Sequence, residues 1–293
     1  MRKFIDIGAN LTDSMFSGIY NGSQKHAPDL DHVLSRAFNL GMERIIVTAG
    51  AKALCCTDAR LYYTVGCHPT RCREFAADPG QYYLDLERYI SEGGSRVVAV
   101  GECGLDYDRV NFCPQEIQLQ CFQEQLNLAS ESKLPLFLHC RNAFEDLISG
   151  IRKHIERCGP IHGVVHTFDG TEEQAKAIID LGFHIGFNGC SLKTKRNLEV
   201  VASIPSEKIL LETDAPWCEI RPTHAGFQHV VTKFTKKKPN KWEPGCMVAG
   251  RNEPANIVQV LEVVAGARGQ SSDELAYAAY ENTLGVFPGL LTS

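Results

Sequence analysis

Eight short runs of mostly apolar, β-branched and aromatic residues recur along the chain, and longer helix-periodic stretches separate most of them. They occupy residues 3–8, 44–50, 61–68, 96–103, 134–140, 163–168, 183–190 and 209–215. Near-continuous apolar runs of this kind belong to parallel strands covered on both faces, because a half-exposed strand alternates apolar with polar residues. Helical patterns at 30–40, 80–92, 115–132, 143–157, 172–181, 195–202, 254–267 and 272–285 supply the crossovers that parallel strands need. The stretch 115–132 is the clearest: Pro114 opens it, and Leu119, Phe122, Leu126 and Ala129 fall on one face. Eight such units within 293 residues predict a single α/β domain, a (β/α)8 TIM-type barrel. An open doubly wound sheet is the competing arrangement, and the absence of GxGxxG after an early strand counts against it.

Composition narrows the class. Hydrophobic residues make up 44% and charged residues 22%, which fits a globular core and argues against disorder, collagen and coiled coil. No apolar run reaches the length of about 18 residues that a membrane span requires, and the first apolar stretch is too short for a signal peptide, so a soluble intracellular protein is expected. The twelve cysteines show no Cys-x-x-Cys pair, and several lie inside apolar runs, as reduced thiols acting as small hydrophobes do. The net charge of −5 excludes a protein coated for nucleic-acid binding, so any such site must be a local patch.

The active site of a barrel forms at the C-terminal ends of its strands, and there polar residues interrupt the apolar runs. Glu102 ends the fourth run, His139 the fifth, His166 the sixth and Asp214 the eighth. Their separations of 37, 27 and 48 residues exclude a local motif; only a closed barrel gathers them. Two imidazoles and two carboxylates suit zinc, manganese, cobalt or iron, with loosely held magnesium also compatible. A carboxylate such as Glu102 can bridge two ions about 3.5 to 4 Å apart. Each residue alone has a structural explanation, a hydrogen-bonded core histidine or a turn-capping aspartate. Their joint placement at successive strand ends favours a site.

The segments FIDIGANL, TVGCHPTR, GECGLDYD, FLHCRN, VVHTFDG, IGFNGCSLK, ETDAPW and RNEP follow one another in that order. Over nearly its whole length the chain closely resembles the TatD-type metal-dependent deoxyribonucleases of the amidohydrolase superfamily. The resemblance implies a TIM-type barrel and ligation of two divalent cations (Mg, Mn or Zn) by Glu102, His139, His166 and Asp214, with Glu102 shared. It also implies hydrolysis of DNA phosphodiester bonds by a metal-activated water, as an exonuclease, an endonuclease or both. Many relatives begin with His-x-His at the end of the first strand, where this chain has Gly8 and Asn10, a pattern shared by its own branch. Asn10 offers an amide oxygen, whereas Gly8 offers no side chain. A second departure is the shortened connection at 51–62, where relatives usually carry a longer helix. It predicts reduced stability there, to be read as rapid amide exchange; strong protection would contradict it.

Further residues have paired readings. Asp214 is a ligand and a candidate proton acceptor, or a ligand only. Arg141, with Asn142 beside it, presents a guanidinium fork to a phosphate, or pairs with Glu145 at the surface. His68 contacts a scissile or terminal phosphate, or serves the turn. Asp106 hydrogen-bonds a liganding histidine, or caps the following loop. Residues 217–253 hold seven basic residues (Arg221, Lys233, Lys236, Lys237, Lys238, Lys241, Arg251) against Glu219, Glu243 and Glu253, a net +4 on an otherwise −9 chain. Such a loop steers a polyanion, and Trp217, Phe227, Phe234 and Trp242 offer faces for unpaired bases. Arg251 reaches substrate, while Asn252 and Glu253 brace the helix that Pro254 opens. The leading expectation is a monomeric deoxyribonuclease acting on DNA, nuclear by family with the cytoplasm also open. Two rivals use the same residues: a hydrolase of aminoacyl esters, lactones or amides, and a non-catalytic nucleic-acid-binding protein.

Overall fold

The computed structural model describes residues 2–48 and 51–291. Its strands are β1 (Phe4–Ala9), β2 (Met42–Val47), β3 (Leu61–Val65), β4 (Val97–Asp106), β5 (Leu136–Arg141), β6 (Gly163–Val165), β7 (His184–Phe187) and β8 (Ile209–Leu211). They pair in chain order, every pair parallel. Closure comes just beyond β8, where Ala215 bridges Ala9 and two backbone bonds run from Asp214 N to Gly8 O (2.8 Å) and from Asn10 N to Ala215 O (2.6 Å). The helices α1 (Leu30–Asn39), α2 (Lys52–Cys55), α3 (Cys72–Ala77), α4 (Pro79–Gly93), α5 (Gln115–Ser132), α6 (Phe144–Cys158), α7 (Glu172–Asp180), α8 (Lys195–Ser203), α9 (Ile257–Arg268) and α10 (Ser272–Val286) complete the expected α/β barrel. Among the described residues no helix is long and apolar enough to cross a membrane.

The two layers of the core follow from strand periodicity. Successive side chains of a strand face opposite sides, so one set fills the barrel and the other meets the helices. Ile5, Ile7, Ile46, Tyr62, Val98, Phe137, Val164 and Leu210 form an interior plug, sealed below by Val286, Phe287 and Leu290. The larger cluster lies between strands and helices and includes Val47, Leu138, Val165, Phe122, Leu126, Leu147 and Ile178.

The expected strand ends move where the backbone leaves the pleat. The sixth and eighth runs stop pairing early because Thr167 and Asp214 adopt left-handed conformations (φ 49° and 54°), so His166 and Asp214 lie just past their strands. β4 runs on to Asp106 instead of ending at Glu102. Its register slips between Gly101, opposite Phe137, and Cys103, opposite Leu138, which leaves Glu102 as the extra residue of a bulge. The end of the second run, residues 49–50, lies outside the described residues. On α5 the buried face holds Gln118, Cys121, Phe122, Gln125, Leu126 and Ala129, whereas Leu119, expected inside, is exposed. Two buried glutamine amides that serve backbone groups account for this rotation. Of the short connection after β2, residues 51–60 form the single turn α2 and two further turns, with Ala51 and Cys55 buried and Lys52 paired with Glu92.

The basic loop is tied down by an ion cluster, which corrects one expectation. Arg251 does not reach the mouth: its guanidinium is fully buried, donating to Asp29 Oδ1 and Oδ2 (2.7 and 2.6 Å), Glu253 Oε1 (2.9 Å) and Met15 O (3.0 Å). Arg36 on α1 adds a forked pair to Glu253 (2.9 and 3.1 Å). Two carboxylates face Arg251 in the interior, so burial favours an internal clamp over solvent exposure. Asn252 donates to Thr213 O at 2.8 Å, anchoring the loop to the end of β8. Replacing Arg251 by Ala strands the Asp29 carboxylate, leaves Glu253 to Arg36 alone, and should cost about 3–5 kcal/mol in urea unfolding; a loss below about 1 kcal/mol would contradict the clamp.

Candidate metal centre

The site sits directly on the interior plug. In β5 Phe137 fills the barrel, and His139, two residues on, faces the same way at the mouth. Val164 and His166 repeat the relation, and Leu210, Glu212 and Asp214 extend it by two steps. The bulge aims Glu102 into the same space. Its Oε1 lies 2.8 Å from His139 Nδ1, 2.7 Å from His166 Nε2 and 3.5 Å from His68 Nε2. One carboxylate oxygen therefore gathers imidazoles from β5, β6 and the loop after β3.

Glu212 is a site residue that the sequence reading did not assign. It is fully buried, and its Oε1 accepts from Thr167 N (2.6 Å) and Asn188 Nδ2 (3.1 Å), while Oε2 lies 3.4 Å from His166 Nδ1. The signal was its place two residues after the apolar Leu210 on the inward face of β8. Gly8 belongs to the same arrangement: a Cβ there would stand 2.9 Å from Glu212 Oε2 and 3.1 Å from the Phe137 ring. The absence of a side chain at Gly8 thus makes room for a glutamate from the opposite side of the seam.

Asp214 approaches from that seam. Asn10 Nδ2 donates to its Oδ1 at 2.9 Å, and Asn10 Oδ1 accepts from Thr48 Oγ1 at 2.7 Å, so the asparagine oxygen expected toward a metal is already engaged. Cys218 Sγ, 2.7 Å from Cys190 Sγ, donates to Asp214 Oδ2 at 3.2 Å. Asp6 fixes the other side of the seam by accepting from Thr213 N (2.9 Å), Thr213 Oγ1 and Gly8 N (3.2 Å). Burial pushes the Asp6 carboxyl up to about 8 despite these bonds.

Burial opposes ionisation of Glu102, yet the charge of His166 and hydrogen bonds from His139, His166 and His68 hold it well below the carboxylate range. Burial likewise opposes protonation of His166, but Glu102 and Glu212 raise it well above an ordinary histidine. His139 is raised against burial by Asp106 and Glu102. Asp214 is pushed up to about 7, first by burial and then, against the pull of His166, by repulsion from Glu212 and Glu102.

The donor set fits a divalent cation. It offers nitrogen and oxygen atoms only, and two of its buried atoms, His139 Nε2 and Glu212 Oε2, have no hydrogen-bond partner. His139 Nε2 lies 3.3 Å from Asp106 Oδ2, outside hydrogen-bond geometry, so Asp106 stands where it can orient that ring while also capping the loop through Asp108 N (3.1 Å).

Of the expected phosphate contacts, His68 lies at the centre, with Thr70 Oγ1 2.7 Å from its Nδ1. Arg141 does not pair with Glu145; exposed at the mouth, it forks between Asp108 (2.9 Å) and Asp169. Asn142 leans on Asp108 at 3.4 Å. In the basic loop Lys236 and Lys237 are paired with Glu219 and Glu243. Arg221, Lys233, Lys238 and Lys241 keep no carboxylate partner among the described residues. Phe227 and Phe234 pack on the core, Trp242 lies against His26 and His32 (5.1 and 5.6 Å between centroids), and Trp217 remains half exposed. Four aromatic faces for bases reduce to Trp217.

Comparison with known proteins agrees with this geometry. The family described as "TatD related DNase" matches residues 5–288. The chain belongs to the TatD-related DNase family. This TatD chain is 43% identical to the "Deoxyribonuclease Tat-D" of Schizosaccharomyces pombe, over 96% of its own length and 95% of that protein. It is 32% identical to a Shigella flexneri protein named "3'-5' ssDNA/RNA exonuclease TatD", with 96% and 98% of the two chains covered. A solved TatD-family hydrolase from Entamoeba histolytica superposes with a TM-score of 0.92 at 35% identity, covering 98% of each chain.

A cation held by Asp214 would compete with its proton, so affinity should fall as pH drops through about 7. Manganese binding followed by calorimetry should be at least about tenfold weaker at pH 6 than at pH 8, and Asp214→Asn should reduce but not abolish that dependence, because His139 and His166 must also lose protons. Equal affinity at both values would contradict the assignment of Asp214.

Proposed function

We propose that this chain is a divalent-metal-dependent deoxyribonuclease that hydrolyses DNA phosphodiester bonds, taking single-stranded or frayed ends toward the mouth of the barrel. The observation that carries the reading is the convergence of His68, His139 and His166 on one oxygen of Glu102, with Asp214 and Glu212 alongside. In this proposal Glu102, His139, His166 and Asp214 hold two cations, magnesium, manganese or zinc. When bound, the cations supply Lewis acidity and positive charge at the scissile phosphate.

The protein's own groups do the remaining work. Asp214 accepts the proton of the attacking water, a role suited to a carboxyl whose value lies near neutrality. Glu212 and Thr167 hold the His166 ring from behind, Thr167 Oγ1 lying 2.9 Å from its Nδ1. His68 faces the reacting phosphate from the β3 side. Arg141 meets a phosphate oxygen by releasing Asp108 or Asp169. The unpaired lysines of residues 217–253 raise the local concentration of the polyanion, and Trp217 stacks on an unpaired base. The names of the fission-yeast and Shigella relatives support nucleic acid over a small ester as the substrate.

The test is cleavage of end-labelled single- and double-stranded DNA by metal-stripped protein, with magnesium, manganese or zinc restored, beside folded Glu102→Gln. The proposal expects metal-dependent products that fall by more than about a hundredfold in the variant. Cleavage insensitive to Glu102→Gln, or none by folded, metal-loaded protein, would overturn it.

A further inference from the structure

A second group of metal-type donors lies behind His68, outside the centre described above. Cys67 follows β3 by two residues, Cys72 opens α3, and Cys121 lies on α5. All three side chains are buried, and their sulfur atoms lie within 4.8 Å of one another. Around one ion with metal–sulfur bonds of about 2.3 Å, three sulfurs stand about 4.0 Å apart. The thiols need only close in slightly, without a change of fold.

The surroundings fix these sulfurs in place. Gln125 is buried on α5 and serves two of the three cysteines. Its Oε1 accepts from Cys67 N at 2.7 Å, while Nε2 donates to Cys67 O at 3.0 Å and to Cys121 Sγ at 3.4 Å. Cys72 Sγ points at His68 O at 3.6 Å. A buried amide spent on aligning two cysteines is a costly way to pack sulfur as plain hydrophobe, since each polar group must first be desolvated. Phe75, Cys113, Ile117 and Tyr82 surround the group, and no imidazole or carboxylate belongs to it. That donor chemistry rejects magnesium and manganese and selects a soft d10 cation. A cavity of about 490 Å³, lined by Cys67, His68, Arg71 and Tyr82 among others, gives a route to it.

We propose that Cys67, Cys72 and Cys121 form a trithiolate site for one soft d10 cation, copper(I) or zinc(II), distinct from the nitrogen and oxygen centre. Binding forms three metal–sulfur bonds and releases the three thiol protons to solvent, with no change in oxidation state. The ion ties the ends of β3 and α3 to α5 and so stiffens the loop that presents His68 to Glu102.

The experiment titrates full-length, reduced, metal-stripped protein anaerobically with copper(I), and separately with zinc(II), against a chelator that reports free ion. X-ray absorption is then recorded on the tightly held equivalent. The expected result is one sulfur-bound ion with three sulfur neighbours at about 2.3 Å, beside which any zinc at the nitrogen and oxygen centre shows only light neighbours and is absent from Glu102→Gln. Affinity should fall by more than about a hundredfold in Cys72→Ala and Cys121→Ala and stay unchanged in Cys56→Ala and Cys158→Ala, whose thiols are exposed and lie outside both centres. Three-coordinate copper retained while zinc is lost would assign copper(I), and a fourth light ligand on retained zinc would assign zinc(II). Should the cysteine variants not fold, the wild-type sulfur count decides alone. No sulfur-bound ion in folded wild type, or equal binding by folded Cys121→Ala, would overturn the proposal.

Discussion

The last strand of a barrel must find the first, and here the seam between them is made of polar groups. Asp6 takes the backbone and hydroxyl of Thr213, Gly8 O accepts from Asp214 N, and Asn10 both bonds Ala215 through its backbone and holds Asp214 through its amide. Every group at this seam serves closure and site together. Asn252 ties the long loop to Thr213, and the buried Arg251 clamp ties the same loop to the segments around α1. Loosening the seam would move Asp214 and Glu212 away from the histidines on the far wall.

On that frame the site is a problem in burying negative charge. Glu102, Glu212 and Asp214 converge in a space floored by Phe137, Val164 and Leu210, where an unpaired carboxylate is costly. Part of the compensation is internal: His139 and His166 are raised toward the charged form, and Asn188 and Thr167 satisfy one oxygen of Glu212. The rest is deferred to Asp214, which keeps its proton to about neutrality. A divalent cation held here, as proposed, would supply in place of those protons the positive charge that the carboxylates require.

Much of this was legible in the chain. The apolar runs announce parallel strands, and the polar residues that interrupt them mark Glu102, His139, His166 and Asp214; for the two histidines and Asp214, period-two geometry carries an inward residue from the plug to the mouth. The same rule reaches Glu212, which the sequence reading passed over because Asp214 already closed the eighth run. Other features depend on partners far away in sequence. Arg251 reads as a basic loop residue until Asp29 and Glu253 are seen around it, and the acidic partners of Arg141, Asp108 and Asp169, are equally invisible in the sequence. The bulge at Glu102 comes from a register slip against β5 that residue type alone does not reveal. On α5, helical periodicity placed Leu119 inside, but buried glutamines and a cysteine took the face.

The central claim is that the carboxylates and imidazoles at the mouth form one cation site, and anomalous diffraction from manganese-soaked crystals tests it most directly. The account predicts anomalous peaks within about 2.5 Å of donor atoms of Glu102, His139, His166 and Asp214, with Glu102 touching each ion if two are present. Crystals that take up manganese only at other carboxylates, with Glu102 still held by its three histidines, would contradict it.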